Sequence, residues 1–162
     1  MKLFLFFFIM NVSTMTTITA QEGLSSNDLY GIVTEIQLNQ KNYKWLNNNI
    51  NDIFPDTIIQ QLSHINIKHI YITLLIGTWC SDTQIELHKI LHLLHKINLD
   101  KEHLTIFALD KNKTYLQKNG KVIIATKVPT LIVHHKGQML GKIVEYPSFN
   151  WAEDLLHILE DF

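Results

Sequence analysis

"HIYITLLIGTWCSDTQIELHKILHLLHKIN", residues 69–98, decides the reading of this chain. Its first nine residues are β-branched or apolar almost throughout, which suits a strand buried on both faces. From Ser81 the pattern changes to the helical period, with Leu87, Ile90, Leu91, Leu94 and Ile97 forming one apolar stripe. Between strand and helix stands the chain's single cysteine, Cys80, in "GTWCSDTQ" (77–84). Trp79 precedes it, and Thr83 occupies the place where a second cysteine would complete a C-x-x-C pair.

Working outward, "LTIFALD" (104–110) reads as a second buried strand, parallel to the first because a helix joins them. "KTYLQKNG" reads as a short helix or turn ending at Gly120. "TLIVHH" and "MLGKIVEY" read as two antiparallel strands joined through His135-Lys136-Gly137-Gln138, a hairpin signal. "NWAEDLLHILEDF" closes with a helix whose stripe is Trp151, Leu155, Leu156 and Leu159. On the N-terminal side, "SSNDLYGIVTEIQL" places Leu29, Ile32, Val33 and Ile36 at helical spacing and predicts an amphipathic helix. After the polar break 47–52, Pro55 and Asp56 open a second short helix carrying Ile58, Ile59, Leu62 and Ile65. The expected order from residue 69 is β-α-β-(α)-β-β-α, an α/β class.

The chain has 162 residues, 46% of them apolar, and a net charge of -1, so no field marks a nucleic-acid partner or a membrane surface. All 14 basic residues are Lys, which argues against two-pronged phosphate or carboxylate recognition as a central task. At the N-terminus, Lys2 and "LFLFFFIM", followed by a polar stretch ending in Ala20, read as a secretory signal over residues 1–20. The run is short for a bilayer span, so the mature chain is expected to begin near Gln21 in a secreted or periplasmic location, with no span left. An uncleaved anchor is the alternative. A single cysteine in an oxidising compartment stays free, reacts, or pairs with another molecule.

Two features resemble the thioredoxin superfamily. "TWCSDT" lies at the strand-to-helix turn that holds the family's redox motif, and "KVPTLIV" places Val128-Pro129-Thr130 where the family has its cis-proline loop. The resemblance covers about 66–161 and implies a thioredoxin-like domain over 66–162, preceded by a helical extension over 21–65. More narrowly, "GTWCSDTQ" with "KIVEYPS" is similar to secreted bacterial thioredoxin-like proteins that keep one cysteine. The chain departs from the family in three places. Thr83 replaces the second cysteine, Leu74 stands where many members carry a buried carboxylate, and His88 replaces a helix-kinking proline.

The resemblance assigns Cys80, Thr83 and Pro129 to the chemistry, and Trp79, Val128 and Thr130 to substrate binding. The thiolate is the attacking species in disulfide exchange. Cys80 at a helix N-terminus gains from the dipole. Thr83 has a hydroxyl to offer the sulfur, while Asp82, about 6 Å away, opposes a thiolate. With no second thiol, a mixed disulfide at Cys80 must be released by an external one, on a protein or low-molecular-weight partner. Exchange at sulfur needs no cofactor, and none is expected. The competing reading is a binding module with an inert, buried cysteine.

A third reading uses the nine histidines. His88, His92 and His95 follow at i, i+4, i+7 on one helix flank, with His134-His135 as further ligand candidates for Zn²⁺ or Cu²⁺. A solvated histidine face explains the triplet without a metal, and no acidic pattern accompanies it. Tyr146-Pro147 is expected only to end a strand, and Asp110 to cap a turn.

Overall fold

A computed structural model describes residues 24–47 and 54–160. The signal reading at 1–20 and most of the polar break lie outside the described residues.

The strand that opens the deciding stretch, Ile70–Ile76, is the centre of a five-stranded mixed sheet. In chain order the strands of that sheet are β1 (Gly31–Val33), β2 (Ile70–Ile76), β3 (Leu104–Ala108), β6 (Thr130–His135) and β7 (Gln138–Val144). A separate hairpin supplies β4 (Thr114–Leu116) and β5 (Val122–Ile124). The sheet order is β1-β3-β2-β6-β7, with β2 and β3 parallel and every other pair antiparallel. The helices are α1 (Glu35–Gln40), α2 (Asp56–His64), α3 (Ser81–Lys96) and α4 (Trp151–Glu160).

Alternation along β2 assigns its side chains to two different cores. Ile70, Ile72, Leu74 and Ile76 face the helices, in one cluster with Leu87, Ile90, Leu94, Trp151, Leu155 and Leu159. Each such side chain contributes roughly 1.5–3 kcal/mol by burial. Leu75 faces the other way, into a smaller cluster with Phe107, Leu109, Ala125 and Val128, against which Tyr115 and Ile123 of the β4–β5 hairpin pack. Both faces of β2 are therefore covered, as its unbroken apolar run requires. The stripes expected on α3 and α4 are the ones buried.

Glu86 lies inside the helical core. One oxygen accepts from Trp151 Nε1 at 2.7 Å and the other meets Lys89 Nζ at 2.6 Å. A buried carboxylate is tolerated when hydrogen-bonded in this way, and the bond ties α3 to α4. The β6–β7 hairpin turns at Lys136 (φ 51) and Gly137 (φ 82), the two left-handed residues that a tight hairpin demands.

Two expectations are corrected. The helix read across 25–38 does not form. Gly31–Val33 is instead an edge strand, paired antiparallel with β3 in the register Gly31↔Ala108 and Val33↔Ile106. The helix starts only at Glu35, after a capping box in which the Thr34 side chain accepts from Gln37 N and Gln37 reaches back to Thr34 N. The coincidence of spacing at Leu29, Ile32, Val33 and Ile36 mimicked a helical stripe. The N-terminal segment is thus woven into the sheet, and Leu38 from it is fully buried in the main core. Likewise "KTYLQKNG" is neither helix nor isolated turn. Thr114–Leu116 pairs with Val122–Ile124, and Gly120 (φ 83) sits in the connecting loop.

Candidate functional site

Cys80 is the N-cap residue of α3, in an extended conformation (φ -88, ψ 128), immediately past the end of β2. The turn that carries it is tight. Cys80 N donates to Gly77 O at 2.9 Å, and Gln84 N donates to Cys80 O at 3.1 Å. Thr78 is buried and holds the turn to the N-terminal segment: its Oγ1 accepts from Leu29 N at 3.0 Å and donates to Asp28 at 3.3 Å. The edge strand that sequence reasoning missed therefore arrives with a buttress for the cysteine turn.

The cysteine is free and partly exposed. Its sulfur has two polar neighbours, the carbonyl oxygen of Val128 at 3.5 Å and Asp82 Oδ2 at 3.9 Å. Both are acceptors, so in this geometry the thiol is the hydrogen-bond donor. The Val128–Pro129 peptide bond is cis, and Val128 and Pro129 are themselves buried.

The other site residues behave differently from one another. Thr83 is fully buried, and its Oγ1 accepts from Gly77 N at 3.3 Å, which closes the strand-to-helix turn. Thr130 is also buried, donating from Oγ1 to Lys127 O at 2.7 Å within the loop. Trp79 is half-buried. Its Nε1 donates to Leu109 O at 3.0 Å, and its ring packs on the Leu75–Phe107 cluster. Only part of the indole remains as the lip of a site. Asp110 is buried and accepts from Thr114 N and Oγ1, the turn-closing role expected of it.

Tyr146 does more than end a strand. Its hydroxyl donates to Asp82 Oδ1 at 2.5 Å, a contact between residues 64 apart in sequence. That bond, reinforced by the Asp82 charge, pushes the phenol up to about 12. The preceding residue, Glu145, sits in the left-handed region (φ 67), an uncommon conformation for a residue with a side chain. Its N–H donates to Pro129 O at 2.7 Å, and its carboxylate binds the Lys127 ammonium. Hydrogen bonding to Glu145 holds the Lys127 amine above its usual range. The signal available in sequence was "VEYPS", polar residues just past a strand at the end of the sheet that carries the cysteine.

The histidine triplet lies elsewhere on α3. His88, His92 and His95 border a cavity of about 210 Å³ under α1, with Glu35, Asn39, Leu46 and Leu91. His95 Nε2 meets Glu35 Oε2 at 2.9 Å. Burial pushes the His88 imidazole below its usual range, helped by Lys89 and opposed by Glu86. His134 and His135 are on β6, where the His135 ring lies 6.4 Å from that of His69. Among the described residues no group of three or more His, Cys, Asp or Glu is placed to hold a metal ion. No described helix is long and apolar enough to cross a membrane.

No family model and no curated protein matches the chain. Among solved structures it is similar to an HIV epitope scaffold, with 16% identity over 74% of this chain and 82% of that one and a TM-score of 0.51. It is also similar to a protein of unknown function from Pseudomonas aeruginosa, with 16% identity over 73% and 76% of the two chains and a TM-score of 0.45. At such identity the likeness to the scaffold is one of fold alone.

Proposed function

We propose that this chain is a thioredoxin-like monothiol protein that exchanges disulfides through Cys80, with an external thiol completing each cycle. The observation that carries the reading is the placement of one partly exposed sulfur, at the head of α3, 3.5 Å from the carbonyl that precedes cis-Pro129. The parallel β2–α3–β3 unit and the two antiparallel strands that follow Pro129 support the thioredoxin-like reading, with β1 and Leu38 of the preceding segment built into the same sheet and core. The leader-like residues 1–20 put this exchange outside the cytoplasm, in a periplasmic or secreted setting.

Each half of the cycle is a redox-neutral exchange, one thiol entering a disulfide as another sulfur leaves as thiolate. Cys80 loses its proton to a nearby acceptor or to water. The thiolate attacks one sulfur of a disulfide, a new S–S bond forms to Cys80, the old one breaks, and the departing thiolate takes up a proton. A thiolate from outside then attacks the sulfur bonded to Cys80, forms a new disulfide with it, and releases Cys80 as a thiolate that takes up a proton. No internal sulfur does so, because Cys80 is the chain's one cysteine and Thr83 stands at the second position of the motif. A non-catalytic binding module is the second reading, favoured by one fact: both polar neighbours of the sulfur are acceptors, which suits a resting thiol.

Incubation with hydroxyethyl disulfide separates the two. The exchange reading expects a one-to-one adduct at Cys80 by intact mass, stable until thiol is added. Cys80→Ser abolishes it, and Thr83→Cys shortens its lifetime by supplying sulfur at high local concentration. A thiol that forms no adduct and resists alkylation until denaturant is added establishes the binding module instead.

A further inference from the structure

Asp82 sits where it governs which disulfide reaches Cys80. Its Oδ2 is 3.9 Å from the sulfur, and its Oδ1 accepts from the Tyr146 hydroxyl, which fixes the carboxylate from the far end of β7. A phenol is a neutral donor, so the carboxylate keeps its charge uncompensated by that bond. The nearest cations are engaged elsewhere. The Lys127 ammonium feels Asp82 but is bound to Glu145, and Lys89 is bound to Glu86. Beyond Tyr146 lies a groove of about 410 Å³ lined by Phe149, Glu86, Lys89 and the buried Phe54 and Trp151. Lys89 and Glu86 are paired there, so the charge that faces the sulfur is that of Asp82.

We propose that the Cys80 site selects disulfides carrying an ammonium group close to the attacked sulfur, with Asp82 as the selecting group and Tyr146 as the residue that positions it. This rests on the exchange reading of Cys80. In the step itself the Cys80 proton goes to water, Cys80 bonds to one sulfur of the cationic disulfide, the old S–S bond breaks, and the departing aminothiolate is reprotonated. A carboxylate about 6 Å from a substrate charge changes its encounter by about threefold per charge in a water-like medium, and by more where water is excluded. A cation gains that factor and an anion loses it, so the two differ by about tenfold.

The experiment measures second-order rate constants for adduct formation with cystamine, hydroxyethyl disulfide and 3,3′-dithiodipropionate, each divided by the rate for N-acetylcysteine amide. Wild-type protein is expected to favour cystamine over the dianion by about tenfold after this correction. Raising the salt to about 0.5 M shrinks the ratio, because the Debye length falls well below that separation. Asp82→Asn brings the ratio to within about twofold of the reference thiol, since the Coulomb contribution is removed. Tyr146→Phe gives a ratio between the two, and its loss of selectivity without loss of melting temperature marks a positioning role. A wild-type ratio equal to the reference, or one unmoved by salt and by Asp82→Asn, overturns the selection. Failure of all three disulfides to form an adduct overturns the exchange reading itself, and the selection with it.

Discussion

The two ends of chemistry on α3 make an instructive pair. At its head, the turn of Cys80 is met by residues from three separated parts of the chain: Asp28 bonded to Thr78 within the turn, Val128 beside the sulfur, and Tyr146 reaching Asp82. On its flank, His88, His92 and His95 come from one helix and face α1, where Glu35 takes one of them. The head leaves its cysteine partly exposed and braces the turn around it. The flank tucks two of its three rings into a helix–helix contact and leaves His95 exposed, with Nε2 2.9 Å from Glu35 Oε2. Residue types capable of chemistry are present in both places. The head gathers three distant segments, at Asp28, Val128 and Tyr146, around one cysteine turn, whereas the flank is met by Glu35 and Phe54 and, among the described residues, forms no group placed to hold a metal.

The bracing at the head is where a small change should do most damage. A Cβ added at Gly77 would stand 2.7 Å from Trp79 Cε2, too close for any real contact. The indole has little room to give way, because Nε1 is bonded to Leu109 O at 3.0 Å and the ring packs on the second core. Gly77→Ala is expected to cost about 1–3 kcal/mol, the usual penalty of overpacking. It should also change the emission of Trp79 and the rate of adduct formation at Cys80. Denaturant midpoints together with that rate check it. A variant that matches wild type in both would mean the head of α3 is as tolerant as its flank.

Much of this difference was legible in the chain. The 69–98 stretch announced strand, turn and helix by a change of period, and "KVPT" marked the loop that faces the cysteine. Periodicity failed where elements are three residues long. Gly31–Val33 is too short to show alternation, and its neighbours happened to fit a helical stripe. The better signal was chemical: Thr34-x-x-Gln37 is a capping box, which starts the helix after the strand. In the same way Asn119-Gly120 between two apolar-bearing triplets was a hairpin signal passed over. The Tyr146–Asp82 bond was not readable at all, since a contact over 64 residues depends on how β7 ends against α3. The Gly77 N–H that Thr83 Oγ1 accepts was likewise not readable, because spacing along a helix fixes position but not which way a hydroxyl turns.

A smaller effect on the flank tests whether its histidines are packing groups. The folded chain holds His88 below the ordinary imidazole range through burial. Well above pH ~6.5 both folded and unfolded chains carry it neutral, and it adds no pH dependence. As the pH falls through that value, the unfolded chain binds a proton there that the folded chain refuses. Stability therefore drops until the lower folded pKa is reached. Comparing urea midpoints at about pH 7.5 and about pH 5.5, wild type should lose more stability than His88→Gln, which lacks the titration. Equal losses would show that the ring is not held in its buried, neutral form, and the contrast with the head would weaken.

The smallest expected effect is that of zinc, and it is the sharpest test of the comparison because the flank reading demands almost nothing. On a helix, residues i and i+7 are separated by about 10 Å along the axis. His88 and His95 therefore do not share an ion that needs nitrogen ligands about 2 Å away. His88 and His92 alone make two ligands, short of the three or four a stable protein zinc site uses, and Glu35 is already bound to His95. Among the described residues no larger group gathers. Specific binding at a hundred times its dissociation constant would raise stability by about 2.7 kcal/mol. In a domain of this size that is a shift of several degrees in melting temperature. The expected result is a shift within the error of the scan, identical in wild type and in a His88→Ala, His92→Ala double variant. A rise of several degrees confined to wild type would turn the flank into a second site, and the distinction drawn from convergence of distant segments would fail on the very helix that suggested it.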